Sequence, residues 1–330
     1  MPELGKGHIQ CGICPKGCRI PPGFSGECRV RMNLDGRLHA ATYGRPCAVH
    51  VDPMEKKPLF HFFPGAMILS IGTAGCNLHC KNCQNADISQ GNPEDVPAFD
   101  LPPDQVPALA EKHGCRHVAY TYNEPLVSYE YTRDCCRAAH GAGLRNVLVT
   151  NGYINEKPLL ALLSYVDAAN VDIKGFSEEF YREVCDGSLA PVLRTVLLMK
   201  EAGVHVEVTN LLIPTLNDSE VMIDGLCSWM RNQAGSETPL HFSRFFPCFR
   251  MTHLPPTPLE SLLRARERAR LAGLKHIYVG NAEVPDGDDT FCAGCGERVV
   301  ERQRYVVKAN RVTADGTCPA CGKKLYGVWQ

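Results

Sequence analysis

The sequence has no apolar run near the ~20 residues that a helix needs to cross a bilayer, so no helical membrane span is expected. It has no excess charge of either sign. The formal net charge is −1 over 330 residues, whereas a nucleic-acid-binding surface should be distinctly basic, so no nucleic-acid partner is expected. The first residues, MPELGKGHIQCGICPKGC, contain no apolar h-region and do not read as a secretory signal. Charged residues at 22% and hydrophobic residues at 44% suit an ordinary globular chain. The length allows one large domain or a core with two small appendages. What the chain does have is cysteine, 18 in all. Without a secretion signal a disulfide framework is disfavoured. The thiols then point to metal or redox use in a reducing, cytoplasmic compartment.

The cysteines fall in three sets. Cys76, Cys80 and Cys83 stand at C-x3-C-x2-C spacing within GTAGCNLHCKNCQNADISQ (72–90), just after the apolar run 66–72. Iron–sulfur clusters are held by Cys thiolates. Three thiolates on one tight loop leave one iron of a four-iron cubane open to a ligand. The other reading is a structural zinc loop borrowing a fourth ligand, although structural zinc usually pairs its cysteines as two knuckles. Cys11, Cys14, Cys18 and Cys28 form C-x2-C-x3-C-x9-C in a Gly- and Pro-rich stretch that buries little by itself. Four thiolates suit either tetrahedral zinc or an auxiliary Fe–S cluster, and Cys47 could replace one of them. Cys292, Cys295, Cys318 and Cys321 form two C-x2-C-G knuckles separated by 22 residues, a zinc-ribbon pattern. The stretch between them, VVERQRYVVKANRV, alternates like a hairpin, and Trp329 is expected to pack on the core. Most of the six scattered cysteines, Cys115, Cys135, Cys136, Cys185, Cys227 and Cys248, read as packing residues, with Cys248 among the residues after the sixth strand that could shape a substrate opening.

Between the outer sets the pattern alternates. Runs 66–73, 117–122, 146–150, 168–173, 205–213 and 239–246 are rich in Val, Ile, Thr and aromatics and read as strands. Helical stretches lie near 103–113, 127–142, 157–165, 177–203, 219–235 and 258–274. Six such units predict an α/β fold with a parallel sheet, too few for the closed eight-fold barrel, so a partial, TIM-like (β/α)6 barrel fits. The expected modules are 1–65 (Cys-rich), 66–282 (core) and 283–330 (ribbon), the last following the VPDGDD linker. A hairpin is expected around Asp35-Gly36, and Lys56 and Lys57 read as a solvated turn that could meet an anion.

Ligands of α/β sheets gather at the carboxyl ends of the strands. The candidates there are Asn123 and Glu124, then Thr150 and Asn151, then Asp172 and Lys174. Glu124 can accept from an ammonium or simply favour a helix N-terminus. Thr150 and Asn151 are followed by Gly152, which permits close approach, though a plain turn is the other reading. Asp172 and Lys174 share one side of a strand and could pair with each other or meet a carboxylate. Asn217 and Asp218 suit helix caps or a ligand contact. His241 is structural or faces substrate. No catalytic residue is singled out.

CGICPKGCRI, CNLHCKNCQNADISQ, YTYNEP, TNGYI, VDIKGF, VEVTNLLIPTLND, HFSRFFP, YVGN and CPACG…GVW together resemble the radical S-adenosylmethionine (SAM) member of the AmmeMemoRadiSam system, which is similar to pyruvate formate-lyase activating enzyme. The resemblance covers nearly the whole chain. It implies the radical SAM barrel, a [4Fe–4S] cluster on Cys76, Cys80 and Cys83, and SAM cleaved reductively to a 5′-deoxyadenosyl radical. It implies a flavodoxin- or ferredoxin-type donor and Memo-type and AMMECR-type partners. Relatives often carry a Gly-Gly-Glu-Pro turn where this chain has YNEP, and there the carboxylate receives the SAM amino group. The resemblance names no substrate. A glycyl-radical activase and a non-catalytic zinc-binding interaction protein are the alternatives.

Overall fold

Strand-forming runs that alternate with helical ones lay down parallel strands joined by crossover helices. The computed structural model describes residues 7–330; residues 1–6, the start of the stretch read above as leaderless, lie outside the described residues. The strands are β1 (Ala48–Pro53), β2 (Met67–Gly72), β3 (His117–Tyr120), β4 (Arg145–Thr150), β5 (Ala168–Asp172), β6 (His205–Leu212), β7 (Leu240–Arg244) and β8 (Ile277–Gly280). They form one eight-stranded sheet in sequential order, parallel throughout except for the antiparallel β1–β2 pair. Helices α1 (Val106–Lys112), α2 (Tyr129–Gly141), α3 (Glu156–Leu163), α4 (Leu189–Glu201), α5 (Glu220–Trp229) and α6 (Leu259–Leu271) follow β2 to β7 in turn.

The six strand–helix units therefore form, and the sheet gains a strand at each end. β8 is only four residues long, and β1 has two half-buried residues, then two exposed ones, before the buried Asp52 and the closing Pro53. Neither gives a strong periodic signal. The expected helix over 177–203 is a second difference. It breaks at Asp186, whose φ of 58° is left-handed, leaving a wound turn at 178–185 and then α4. The break lets Asp186 bond both Lys16 and His79 at 2.7 and 2.8 Å.

One face of the sheet packs on the helices. Val118, Tyr120, Leu148, Ala169, Val171, Val206, Val208, Leu240, Phe242 and Val279 all belong to that core. A fully buried Val, Leu or Phe contributes about 1.5–3 kcal/mol, so this face carries most of the stability. The other face is lined lower down by Ile68, Ala119, Val147 and Ala168, which pack on Met54, Leu59 and Phe62. Segment 54–65 thus covers the end where the parallel strands begin.

The chain's last part adds β9 (Thr290–Phe291), β10 (Arg298–Gln303) and β11 (Val306–Asn310), an antiparallel sheet with its own small core that includes the buried Trp329. It docks on segment 54–65. His61 bonds Tyr278 Oη at 2.5 Å and the Tyr326 carbonyl at 2.6 Å. Near the N-terminus, Arg31–Leu34 and Arg37–Ala40 form the hairpin expected from Asp35-Gly36, both with positive φ. Among the described residues, no helix is long and apolar enough to cross a membrane.

Candidate functional site

The loop after β2 is held from every side. Asn123 Nδ2 donates to the carbonyls of Thr73 and, at 2.7 Å, Gly75. Asn77 Nδ2 donates to Tyr153 O at 2.7 Å, and Asn85 Nδ2 to Tyr122 O. The backbone of His79 and Lys81 donates to the carbonyls of Cys185 and Val184. Asn151 Nδ2 reaches Asn77 Oδ1 at 2.9 Å and Cys76 Sγ at 3.6 Å. Cys83 Sγ lies 3.1 Å from Ser89 Oγ. This order puts Cys76, Cys80 and Cys83 on the wall of one cavity of about 1140 Å³. Burial and the nearby Glu124 push the Cys76 thiol well up. The Cys80 thiol is pulled down, by its contact with Cys185 above all and then by the Lys174 charge.

Of the strand-end candidates, Asn123, Asn151, Asp172 and Lys174 line the same cavity. Lys174 Nζ donates to Asp172 Oδ2 at 2.6 Å; burial works against its charge, but Asp172 outweighs it and raises the ammonium pKa. Glu124 and Thr150 stand behind that wall. The carboxylate, fully buried, accepts from Thr150 Oγ1 at 2.9 Å, Asn151 N at 2.7 Å and Leu126 N at 3.0 Å. Burial nevertheless pushes Glu124 up to about 7. Asn217 ties the chain after β6 together by bonding Ile213 N, Lys174 O and Leu211 O.

Side chains from neighbouring strands continue the wall. Register sets Asp172, Thr209, His241 and Tyr278 in one row across β5 to β8. One level below, Glu207 is fully buried and accepts from His241 Nε2 at 2.7 Å, His205 Nε2 at 3.0 Å and His61 N at 2.7 Å. Burial opposes its charge, but the two imidazoles outweigh it and hold the carboxyl well below its usual range. Two atoms on the cavity's lining residues, Thr209 Oγ1 and Asn123 Oδ1, are buried with no protein partner. Unpaired buried polar groups are rare and costly, so this wall suits a polar ligand.

Three residues differ from their sequence reading. Lys57 is not solvated. It is 2% exposed, bonds Asp52 at 2.7 Å and lies over the Tyr122 ring, while Lys56 shares the same carboxylate. Cys185 and Cys248 are not remote packing residues, since they flank the loop at Cys80 and at Asn82 O (3.3 Å). Only long-range contact brings them there, and no spacing signals it. Cys115, Cys135, Cys136 and Cys227 are buried in the core as expected.

The outer cysteine sets differ in compactness. Cys292 and Cys321 have sulfurs 3.6 Å apart, and Cys295 and Cys318 3.7 Å. Burial alone would raise the Cys292 thiol, but the N–H groups of Cys295 and Gly294 and the neighbouring thiols bring it down to about 7. Cys11, Cys14, Cys18 and Cys28 line a separate, small cavity beside Asn77.

The site is therefore a three-cysteine loop at the carboxyl ends of the parallel strands of an α/β fold, on the wall of a cavity with polar lining. Residues 70–224 match the family model described as the Radical SAM superfamily. The chain is 42% identical to an uncharacterized protein of Methanocaldococcus jannaschii over 326 residues, 98% of this chain and 96% of that one. It is 23% identical to the benzylsuccinate synthase activating enzyme of Thauera aromatica over 184 residues, 52% of this chain and 56% of that one. Its fold resembles a radical SAM methyltransferase from Sphaerobacter thermophilus, with TM-score 0.50 and 17% identity over 71% of each chain. Residues 70–224 are thus a radical SAM domain, and the chain belongs to one family with the archaeal protein. It is an enzyme, and the domain implies a [4Fe–4S] cluster, SAM and an electron donor. The non-catalytic alternative is thereby set aside.

Proposed function

We propose that this enzyme holds its [4Fe–4S] cluster on Cys76, Cys80 and Cys83 and abstracts a hydrogen atom from a small polar substrate in the adjoining cavity. The observation that carries the reading is the shared cavity, which joins the three thiols to Asp172, Lys174 and the polar row through His241. When bound, the cluster and SAM supply one electron and a 5′-deoxyadenosyl radical. The chain's own residues bind and orient. Asn123, Asn151, Asp172 and Lys174 hold SAM, with Lys174 facing its carboxylate. Glu124 and Thr150 act behind them by fixing the Asn151 backbone. At about 1140 Å³ the cavity exceeds the usual single-ligand range of roughly 300–1,000 Å³, which supports SAM and a second small molecule together.

We infer a partial barrel for 66–282, with 1–65 and 283–330 as modules. Phe60, which follows edge strand β1, packs edge-on against His241 and Tyr278 near the opposite edge, and this supports a curled sheet. Zinc on Cys292, Cys295, Cys318 and Cys321 is supported by the sulfur spacing, because tetrahedral ligands ~2.3 Å from zinc stand roughly 3.8 Å apart. Memo-type and AMMECR-type partners and a flavodoxin- or ferredoxin-type donor follow from the motif resemblance. A second reading, activation of a glycyl-radical partner, is favoured by the match to the Thauera activating enzyme.

The test is 5′-deoxyadenosine formation by anaerobically reconstituted protein given SAM and a strong reductant. Product is expected, and Cys80→Ala should abolish it. Undiminished product in that variant would sink the proposal. A glycyl EPR doublet on a partner protein would select the second reading.

A further inference from the structure

The two outer cysteine sets face the same choice, one metal ion or a cluster, and their geometry separates them. Among the described residues, donor atoms of three or more His, Cys, Asp or Glu residues come within 4.8 Å of one another in two places. One is the ribbon quartet. The other is Glu27, His79 and Asp186, whose two carboxylates are already bridged by the Lys16 ammonium at 2.7 Å each. Neither Cys11, Cys14, Cys18 and Cys28 nor the loop trio Cys76, Cys80 and Cys83 forms such a group. Four thiolates on one zinc must stand roughly 3.8 Å apart. Thiolates on a cubane stand further apart, because four irons and their sulfides lie between them. The ribbon quartet therefore has single-ion spacing, whereas no three sulfurs of the N-terminal quartet come within 4.8 Å of one another, as is also true of the loop trio. Yet all four N-terminal cysteines border one small cavity.

A second observation points the same way. Arg31 borders this cavity and is 3% exposed. Its terminal nitrogens are both spent on Glu130, its Nε has no other hydrogen-bond partner, and the guanidinium lies against the Cys11 thiol. A buried guanidinium beside a sulfur favours the thiolate that a metal centre needs.

We propose that Cys11, Cys14, Cys18 and Cys28 hold a second [4Fe–4S] cluster, with zinc confined to the ribbon. The calibration rests on reading the loop trio as a cluster site. The cavity adjoins that loop, because Asn77 lines it and contacts Cys14 while Asn151 links Asn77 to Cys76.

The deciding experiment uses the full chain with Cys76→Ala, Cys80→Ala and Cys83→Ala combined, which leaves the N-terminal module untouched. Protein purified anaerobically should hold about four irons and about one zinc per chain. On dithionite reduction it should give the EPR signal of a reduced [4Fe–4S] cluster. Adding Cys14→Ser should deplete that iron and keep the ribbon zinc. Two zincs and no iron in the triple variant would overturn the proposal. So would wild-type protein with only about four irons, all lost with the loop cysteines. Iron equal in wild type and triple variant would leave the N-terminal cluster standing and refute the loop assignment instead.

Discussion

Replacing Arg302 by Met should loosen the C-terminal three-stranded sheet from segment 54–65 and the main sheet. Arg302 and Glu55 are both fully buried in their side chains, with Nε 3.3 Å from Oε1. Arg302 also donates to Phe60 O at 2.6 Å, Asp288 O at 3.0 Å and Thr290 Oγ1 at 2.8 Å. Removing one partner of a buried ion pair costs about 3–5 kcal/mol, since the other charge stays buried. Thr290 Oγ1 keeps Tyr278 Oη as a partner, and the two carbonyls left without a donor add about 1 kcal/mol each. A total of about 5–7 kcal/mol would take much of the ~5–15 kcal/mol that holds a typical domain. Glu55 would retain only the Gly65 N–H, now at 3.0 and 3.3 Å from its two oxygens.

The deficit should depend on pH. Burial already raises the Glu55 carboxyl despite Arg302, and without the guanidinium it rises further. A raised carboxyl means that the folded state binds more protons than the unfolded one. Its stability is therefore full below the unfolded carboxyl value and falls as pH rises through the folded one. The Arg302→Met deficit should be smallest near pH 5 and grow above it. The assay is urea unfolding followed by Trp329 fluorescence in a Trp229→Phe background, because Trp329 belongs to the ribbon core and Trp229 to α5. Converting both partners, Arg302→Met with Glu55→Leu, should recover most of the loss. An Arg302→Met midpoint within about 1 kcal/mol of the parent, or a double variant as weak as the single, would refute the reasoning.

Three further outcomes are expected. Gly75→Ala should cost about 2–4 kcal/mol or prevent folding, because φ is +90° and a Cβ would meet the Val30 side chain and, at 2.6 Å, the Cys28 carbonyl; thermal unfolding near the parental temperature would contradict this. Glu124→Gln should flatten the stability slope of iron-free protein between about pH 4.5 and 7, since the carboxyl is pushed up to about 7 and the native protein loses roughly 3 kcal/mol as it ionises across that window; parallel slopes in urea titrations would refute it. Cys292→Ala should release the ribbon's zinc, seen by metal analysis, while loop iron is retained; loss of both together would show that the ribbon is needed for cluster assembly.

The six parallel strands were legible because each is a run of β-branched and aromatic residues between helical periods, and register then follows from sequential pairing. β8 and β1 were not, because a four-residue strand and a half-exposed edge strand leave too little pattern. The loop trio stands out by spacing alone, and the structure brings its three thiols to one cavity wall. The environment of Glu124 could not. A strand-end carboxylate looks the same in sequence whether it faces a ligand or accepts three protein donors, as this one does. Lys57 misled for a related reason. Two adjacent lysines look solvent-seeking, but Asp52 and Tyr122, 5 and 65 residues away in sequence, build the site that buries one of them.

The polar base also follows from tertiary contact. Interior positions of β6 and β7 carry His205, Glu207, Thr209 and His241, an arrangement that an apolar barrel core would not tolerate. It is tolerated because segment 54–65 supplies the His61 N–H to Glu207 and because Tyr278 stacks on His241. His61 is in turn held by Tyr278 and by the carbonyl of Tyr326, near the chain's end. The ribbon hairpin completes the same wall. Arg304 and Tyr305 line the cavity only two and three residues beyond the anchored Arg302. A metal that orders the ribbon therefore acts on the cavity through one short hairpin. The stretch that most resembles an appendage in sequence is, by this geometry, part of the wall of the cavity that the three loop thiols also line.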